Sequence, residues 1–349
     1  MLTRMIFQVT KNLTERVCGK PIRSKGSGFD ILNLTMGSIT TLIVIARLLY
    51  KQFWSYQRKL SPDDWAVLFT VALGVPCTVL NTAGLSAYGL GKDVWTIPLP
   101  DLTTFAKYFF AVEIIYLAET ASLKLSFSLF YLSIFPKKNI RRLLMITCVV
   151  NILYGVAFVT SGIFACTPVS RFWTQYVEED SAGYCVDFNL IAWVHGAIGI
   201  ALDLWMIALP LSQVKGLEMH WKKKLGVILM FLLGTFVTVV SIMRLQSLIH
   251  FSKTINPTWD NSTAVLWSTV ELSVGLNCAC LPTLRLMLVR VAPHIFSTIG
   301  SRSESQCPPA TNNSSRSSRI RRNISRNKPF EISSIEMSAA NEQKWVNSA

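Results

Sequence analysis

Six ionisable residues, Glu113, Glu119, Lys124, Asp203, Arg244 and Glu271, sit in the middle of long apolar runs of this 349-residue chain. In a low-dielectric interior such groups can pair, move protons or hold a charged ligand. In lipid each costs roughly 2.5–3.5 kcal/mol on insertion scales, so they must face protein or a wet cavity. Depth sorts them into layers. Glu113 lies eight residues after Phe105, Glu271 eight after Thr263, and Arg244 six before His250. At ~1.5 Å per residue, all three fall ~9–12 Å below the outer ends of their segments. Lys124, nineteen residues after Phe105, and Asp203, fifteen after Phe188, fall deeper, at ~22–28 Å. Matched depth pairs Arg244 with Glu271, with Glu113 as the alternative partner, and Lys124 with Asp203. Tyr116, Trp193, His195 and Trp267 lie at outer-half depth and are candidates to line a ligand cavity beside these charges.

The elements that position these residues follow from composition. The chain is 51% hydrophobic and 15% charged, with a mean hydropathy of +0.39. A water-soluble domain is closer to a quarter charged. Backbone groups in lipid must be satisfied within their own segment, so the chain reads as an all-α membrane protein. Seven apolar segments of helix length occur, at roughly 29–49, 65–85, 105–135, 143–165, 188–210, 225–250 and 263–289. They predict a seven-transmembrane helix bundle over residues 29–290, flanked by an N-terminal segment (1–28) and a C-terminal tail (291–349).

Orientation comes from Lys and Arg. The loops alternate between four (Arg47, Lys51, Arg58, Lys59), one (Lys92), four (Lys137, Lys138, Arg141, Arg142), one (Arg171), four (Lys215, Lys222, Lys223, Lys224) and one (Lys253). Positive loops stay in the cytosol, which puts residues 1–28 outside and the tail inside. The six basic residues before the first segment oppose this reading, and three concordant loop pairs outvote them. The net charge of +14 is therefore a topology signal, and no nucleic-acid partner is expected. The lipid bilayer is the expected partner and the plasma membrane the expected location.

Cys166 and Cys185 bracket an outer loop, an oxidising setting in which a disulfide forms. Cys77, Cys148, Cys278 and Cys280 fall inside spans and read as small buried thiols, while Cys18 lies outside. Asp63 and Asp64 open the second segment, where acids favour a helix N-terminus. The tail from about Ser297 is rich in Ser, Asn and Arg and too poor in apolar residues to form a core, so disorder is expected. Its basic residues suit an anionic leaflet. Ser325 is a candidate phosphorylation site that would oppose that adherence.

No metal-ligand spacing occurs among the four His. No phosphate loop or nucleophile elbow appears either. Neither an enzyme nor a cofactor is expected, and the seventh segment lacks the Lys on which retinal would be attached.

Several stretches in order resemble the fungal rhodopsin-domain family of seven-helix membrane proteins, which includes receptor-like proteins with an extracellular CFEM domain. They are SPDDWAVL, YGLGKDVW, LKLSFSLFYLSIF, ACTPVSRFW with Tyr184-Cys185, the Asp203 to Pro210 stretch, SIMRL at 241–245 and WSTVELSVGLNCACLPTLR at 267–285. VCGKPIRS at 17–24 resembles the join to a CFEM domain, but the multi-cysteine domain itself is absent from this sequence. The resemblance implies Lys124, Asp203, Arg244 and Glu271 as family positions, Cys166 and Cys185 as the loop disulfide, and a receptor for an unknown extracellular ligand acting through a heterotrimeric G protein. Ser133-Ile134-Phe135 and Leu281-Pro282-Thr283-Leu284 stand where animal rhodopsin-like receptors carry Asp-Arg-Tyr and Asn-Pro-x-x-Tyr. The competing expectation is a small-solute or proton-linked transporter with Glu119, Lys124 and Asp203 at the midplane.

Overall fold

Helices begin where acids and proline prepare them. In a computed structural model, residues 10–15, 17–19, 21, 23–54, 60–135, 137–174, 183–214, 234–247 and 256–291 are described. The first helix of the bundle, α1, spans Gly26–Leu49 and runs on as a π-helical turn, Tyr50–Trp54. Helix α2, Pro62–Val79, starts with Pro62 in its first turn, and Asp64 Oδ2 accepts the Ser61 backbone N–H at 3.0 Å. It ends in a π-helical stretch, Leu80–Ser86. Helix α3, Leu99–Ile134, is 36 residues long, and α4 spans Lys138–Ile163. Helices α5 (Phe188–Val214), α6 (described over 234–247) and α7 (Pro257–Val291) complete the set.

Among the described residues five of these helices are long and apolar enough to cross a membrane: Gly26–Phe53, Pro62–Ser86, Lys138–Ile163, Phe188–Ser212 and Pro257–Leu284. Helix α3 has the length, but Glu113, Glu119 and Lys124 lower its apolarity. Helix α6 is described over only part of its apolar run. The helices overshoot the apolar segments of the sequence at most ends, because a helix continues into polar flanks that hydrocarbon length does not register.

Helix α3 is the hub, packing against α2, α4, α5 and α7. Small residues let the neighbours close in: a Cβ on Gly155 of α4 would stand 2.6 Å from the Ala121 Cβ, and one on Gly275 of α7 would stand 2.5 Å from a Leu123 methyl. The opposite faces are apolar and bare, as with Met145, Ile146, Val149, Leu153 and Val156 of α4. Such a surface suits lipid, not water.

Outside the bundle, Cys166–Thr167 (β1) and Tyr184–Cys185 (β2) pair antiparallel, with Cys166 opposite Cys185, and a disulfide joins the two cysteines. The loop after α2 is pinned at Asp93, which accepts Arg23 Nη2 at 3.0 Å and Asn256 Nδ2 at 2.7 Å. Gly91, at φ +76°, donates its N–H to the Thr258 carbonyl and accepts that of Lys25. The N-terminal segment, this loop and the start of α7 are thereby tied together. Ser325, the rest of the tail and the Lys215–Lys224 loop lie outside the described residues.

Candidate functional site

Helices α3, α5, α6 and α7 bring most of the buried charges together. Arg244 of α6 is buried; its Nη2 lies 3.7 Å from Glu113 Oε1, and its guanidinium lies 4.0 Å over the Tyr116 ring. Glu271 of α7 is held differently. Its Oε2 accepts the Tyr116 hydroxyl at 3.0 Å and its Oε1 accepts Ser241 Oγ at 2.5 Å. Of the two acids at matched depth, Glu113 is thus the one in ion-pair contact with Arg244. Glu271 takes its hydrogen bonds from Tyr116 and Ser241 instead, and the expected Arg244–Glu271 ion pair does not form.

One layer deeper, Lys124 Nζ makes an ion pair with Asp203 and donates to the Gly199 carbonyl at 3.1 Å. A Cβ on Gly199 would meet the lysine tip only at 3.9–4.0 Å, an ordinary contact, and the Tyr154 hydroxyl more tightly at 3.2 Å. Ser128 Oγ donates to the Lys124 carbonyl, and Asn151 Nδ2 of α4 to Ser128 Oγ at 2.9 Å. The two side chains are only 5% and 10% exposed, so this pairing is what makes either tolerable at that depth.

His195 lines the space between the two layers. It is 1% exposed, stacks on Tyr154 with ring centroids 5.1 Å apart, and meets the edges of Tyr116 and Phe158. Neither ring nitrogen has a hydrogen-bond partner among the described residues, and the same is true of Arg244 Nε. A cavity of about 10 Å³ opens here, lined among others by Tyr116, Lys124, Tyr154, His195, Arg244 and Glu271. That is room for about one water, and the polar atoms around it are those that a water would satisfy.

Trp193 and Trp267 do not line this cavity. Trp193 is two residues from His195 and so projects from another side of α5, packing near Ala192 and Ala264. Trp267 precedes Glu271 by one turn and lies half-buried nearer the outer end. Glu119 is also elsewhere, on the α2 side of α3.

A second charged cluster joins residues that the sequence alone keeps apart, Asp63 and Asp64 as helix-start acids and Arg47 and Lys51 as loop charges. Arg47 of α1, 1% exposed, bonds Asp63 Oδ2 at 2.6 Å and Asp64 Oδ1 at 2.9 Å, and donates through Nη1 to the Ala279 carbonyl of α7. Lys51 Nζ adds a contact to Asp64 Oδ2 at 2.7 Å. Counted as a loop charge, Arg47 hid a structural role; its spacing of four from Lys51 opposite Asp63-Asp64 is the signal that would have found it.

Apolar helices wrapped around a buried polar interior define a multi-pass integral membrane protein in contact with the lipid bilayer. The chain belongs to the fungal rhodopsin domain family, whose model matches residues 46–290. It is 31% identical over 201 residues to a SAT4 family membrane protein of Emericella nidulans, an alignment covering 56% of this chain and 50% of that protein. The chain thus spans about half the length of that relative. It is 25% identical over 280 residues to the Polyenoic acids biosynthesis gene cluster protein Ba17b of Metarhizium anisopliae, covering 75% of this chain and 74% of that one. It is 24% identical over 269 residues to Receptor GIN3 of Arthrobotrys oligospora, covering 75% of this chain and 62% of that protein. No solved structure matches it.

Proposed function

We propose that this protein is a non-catalytic, receptor-like member of its family, a seven-span bundle with its N-terminus outside and its tail in the cytosol of the plasma membrane. The observation that carries the reading is the two-layer charge site. Arg244, Tyr116 and Glu271 line one small cavity with His195 and Lys124, while Glu113 pairs with Arg244 at one end and Asp203 with Lys124 at the other, across four helices. A cue that re-pairs the outer layer changes which helix contacts are satisfied, and buried charge pairs reorganise between discrete arrangements, which is what a switch needs. The relative named Receptor GIN3 supports the same reading. A heterotrimeric G protein facing the basic cytosolic loops is the transducer we propose.

A transporter is the second reading, favoured by a buried Lys124–Asp203 pair beside a polar cavity. The two separate by experiment. Cells expressing the protein are screened with a panel of extracellular solutes while cytosolic second messengers are recorded, and the same solutes are tested for flux into proteoliposomes. A second-messenger response that Arg244→Met abolishes at unchanged surface expression supports the receptor. Solute flux without any such response overturns it.

A further inference from the structure

Glu119 stands apart from both charge layers. It is 3% exposed, on the face of α3 toward α2, where Gly74 makes room for it: a Cβ there would come within 2.8 Å of Oε1. The titratable group facing it from α2 is the Cys77 thiol, and the Cys77 sulfur in turn receives Asn81 Nδ2 at 3.9 Å. Gly37 of α1 packs on Thr78, one turn outward of Gly74, which sets Thr40 of α1 at the depth of Gly74. Among the described residues, Glu119 Oε2, Thr40 Oγ1 and Asn81 Oδ1 are buried without a hydrogen-bond partner.

The charged groups of the surrounding helices are committed elsewhere. Lys124 is tied to Asp203, Arg244 to Glu113, and Arg47 and Lys51 to Asp63 and Asp64. Glu271 is held by Tyr116 and Ser241. Glu119 therefore lacks a cation among the described residues, and an isolated carboxylate in such a place neutralises by taking up a proton. An alkali cation is the rival occupant of the unfilled oxygens, but the Cys77 thiol in the first ring of neighbours is a poor ligand for a hard cation.

We propose that Glu119 is a proton-binding site of the bundle, separate from the charged cavity, with its carboxyl protonated in this state beside the Cys77 thiol. The test uses the full-length protein in lipid nanodiscs and the apolar reagent dicyclohexylcarbodiimide. A protonated carboxyl adds across this reagent: its proton passes to a carbodiimide nitrogen, its oxygen bonds the central carbon, and the O-acylisourea rearranges to a stable N-acylurea. Mass spectrometry should find the adduct on Glu119, forming more slowly as the pH is raised and unchanged by replacing choline with sodium. Infrared spectra of the wild type should show a protonated-carboxyl carbonyl band that shifts in D₂O, survives Glu113→Gln and is missing from Glu119→Gln. Labelling is read on the wild-type chain, so a poorly folding variant does not disable the test. Absence of both the adduct and the band overturns the proposal. Protection of Glu119 by sodium, with sodium-dependent thermal stability, overturns it in favour of a cation site.

Discussion

Tyr116 offers its ring face to the Arg244 guanidinium and its hydroxyl to Glu271, so one side chain spans an acid and a base that do not touch. Removing only the hydroxyl, as in Tyr116→Phe, keeps the cation–π contact and leaves Glu271 with Ser241 as its remaining donor. Losing a partner to a buried charged group costs about 1–3 kcal/mol or more, so we expect a clear fall in detergent-extracted thermostability that Glu271→Gln partly reverses. Arg244 and Glu113 should be coupled directly. Breaking a buried pair costs roughly 3–5 kcal/mol, whereas replacing both partners is nearly neutral. Arg244→Met should therefore be strongly destabilising and Glu113→Gln less so, because Arg244 then keeps its contact with the Tyr116 ring, and the double variant should recover part of the loss. Strict additivity of the two losses would show that the residues are uncoupled. These charges were legible in sequence because an acid or base inside an apolar run is conspicuous. Which acid Arg244 touches was not, since depth alone leaves Glu113 and Glu271 equivalent.

Helices meet where glycine permits. Gly155 sits against Ala121 of α3, so Gly155→Leu forces α4 away from the hub and should cost about 1–3 kcal/mol or more by overpacking. Gly28 of α1 has open space around it, and Gly28→Leu is the control that should leave thermostability nearly unchanged. Arg47 joins the end of α1 to the start of α2 and, through the Ala279 carbonyl, to α7. Arg47→Met should destabilise by roughly 3–5 kcal/mol, leaving Asp63 and Asp64 with Lys51 as their remaining cation. Thermal unfolding of each variant in the same detergent measures all three. The helices themselves were readable from apolar run length. The Arg47 cluster was not, because a basic residue at the end of a span looks the same whether it meets lipid headgroups or a buried carboxylate. The aromatic lining was readable only in part, because Trp193 and His195 share a depth but not a helix face.

At the scale of the whole molecule, the alternation of basic and poor loops assigns sides, and glycosylation reporters placed after residue 20 and after residue 340 check them. The first should be modified and the second not; a modified tail reporter would reverse the orientation or change the span count. The native sequon Asn261-Ser262-Thr263 should remain unmodified, because Asn261 is buried in the first turns of α7. Peptides containing Cys166 and Cys185 should be recovered linked under non-reducing conditions, since the two strands place these residues opposite one another.

The placement of counter-charges around α3 also bears on how the chain is made. Helix α3 leaves the ribosome carrying Glu113, Glu119 and Lys124, yet the partner of Lys124 is Asp203, 79 positions later, and the partner of Glu113 is Arg244 on α6. A translocon releasing helices one at a time would deliver these charges to lipid uncompensated. Helix α3 should therefore wait beside the insertion machinery until α5 and α6 have been synthesised, and the bundle should enter the bilayer as a group. Nascent chains stalled after α4 should crosslink to the translocon through α3, and chains stalled after α6 should not.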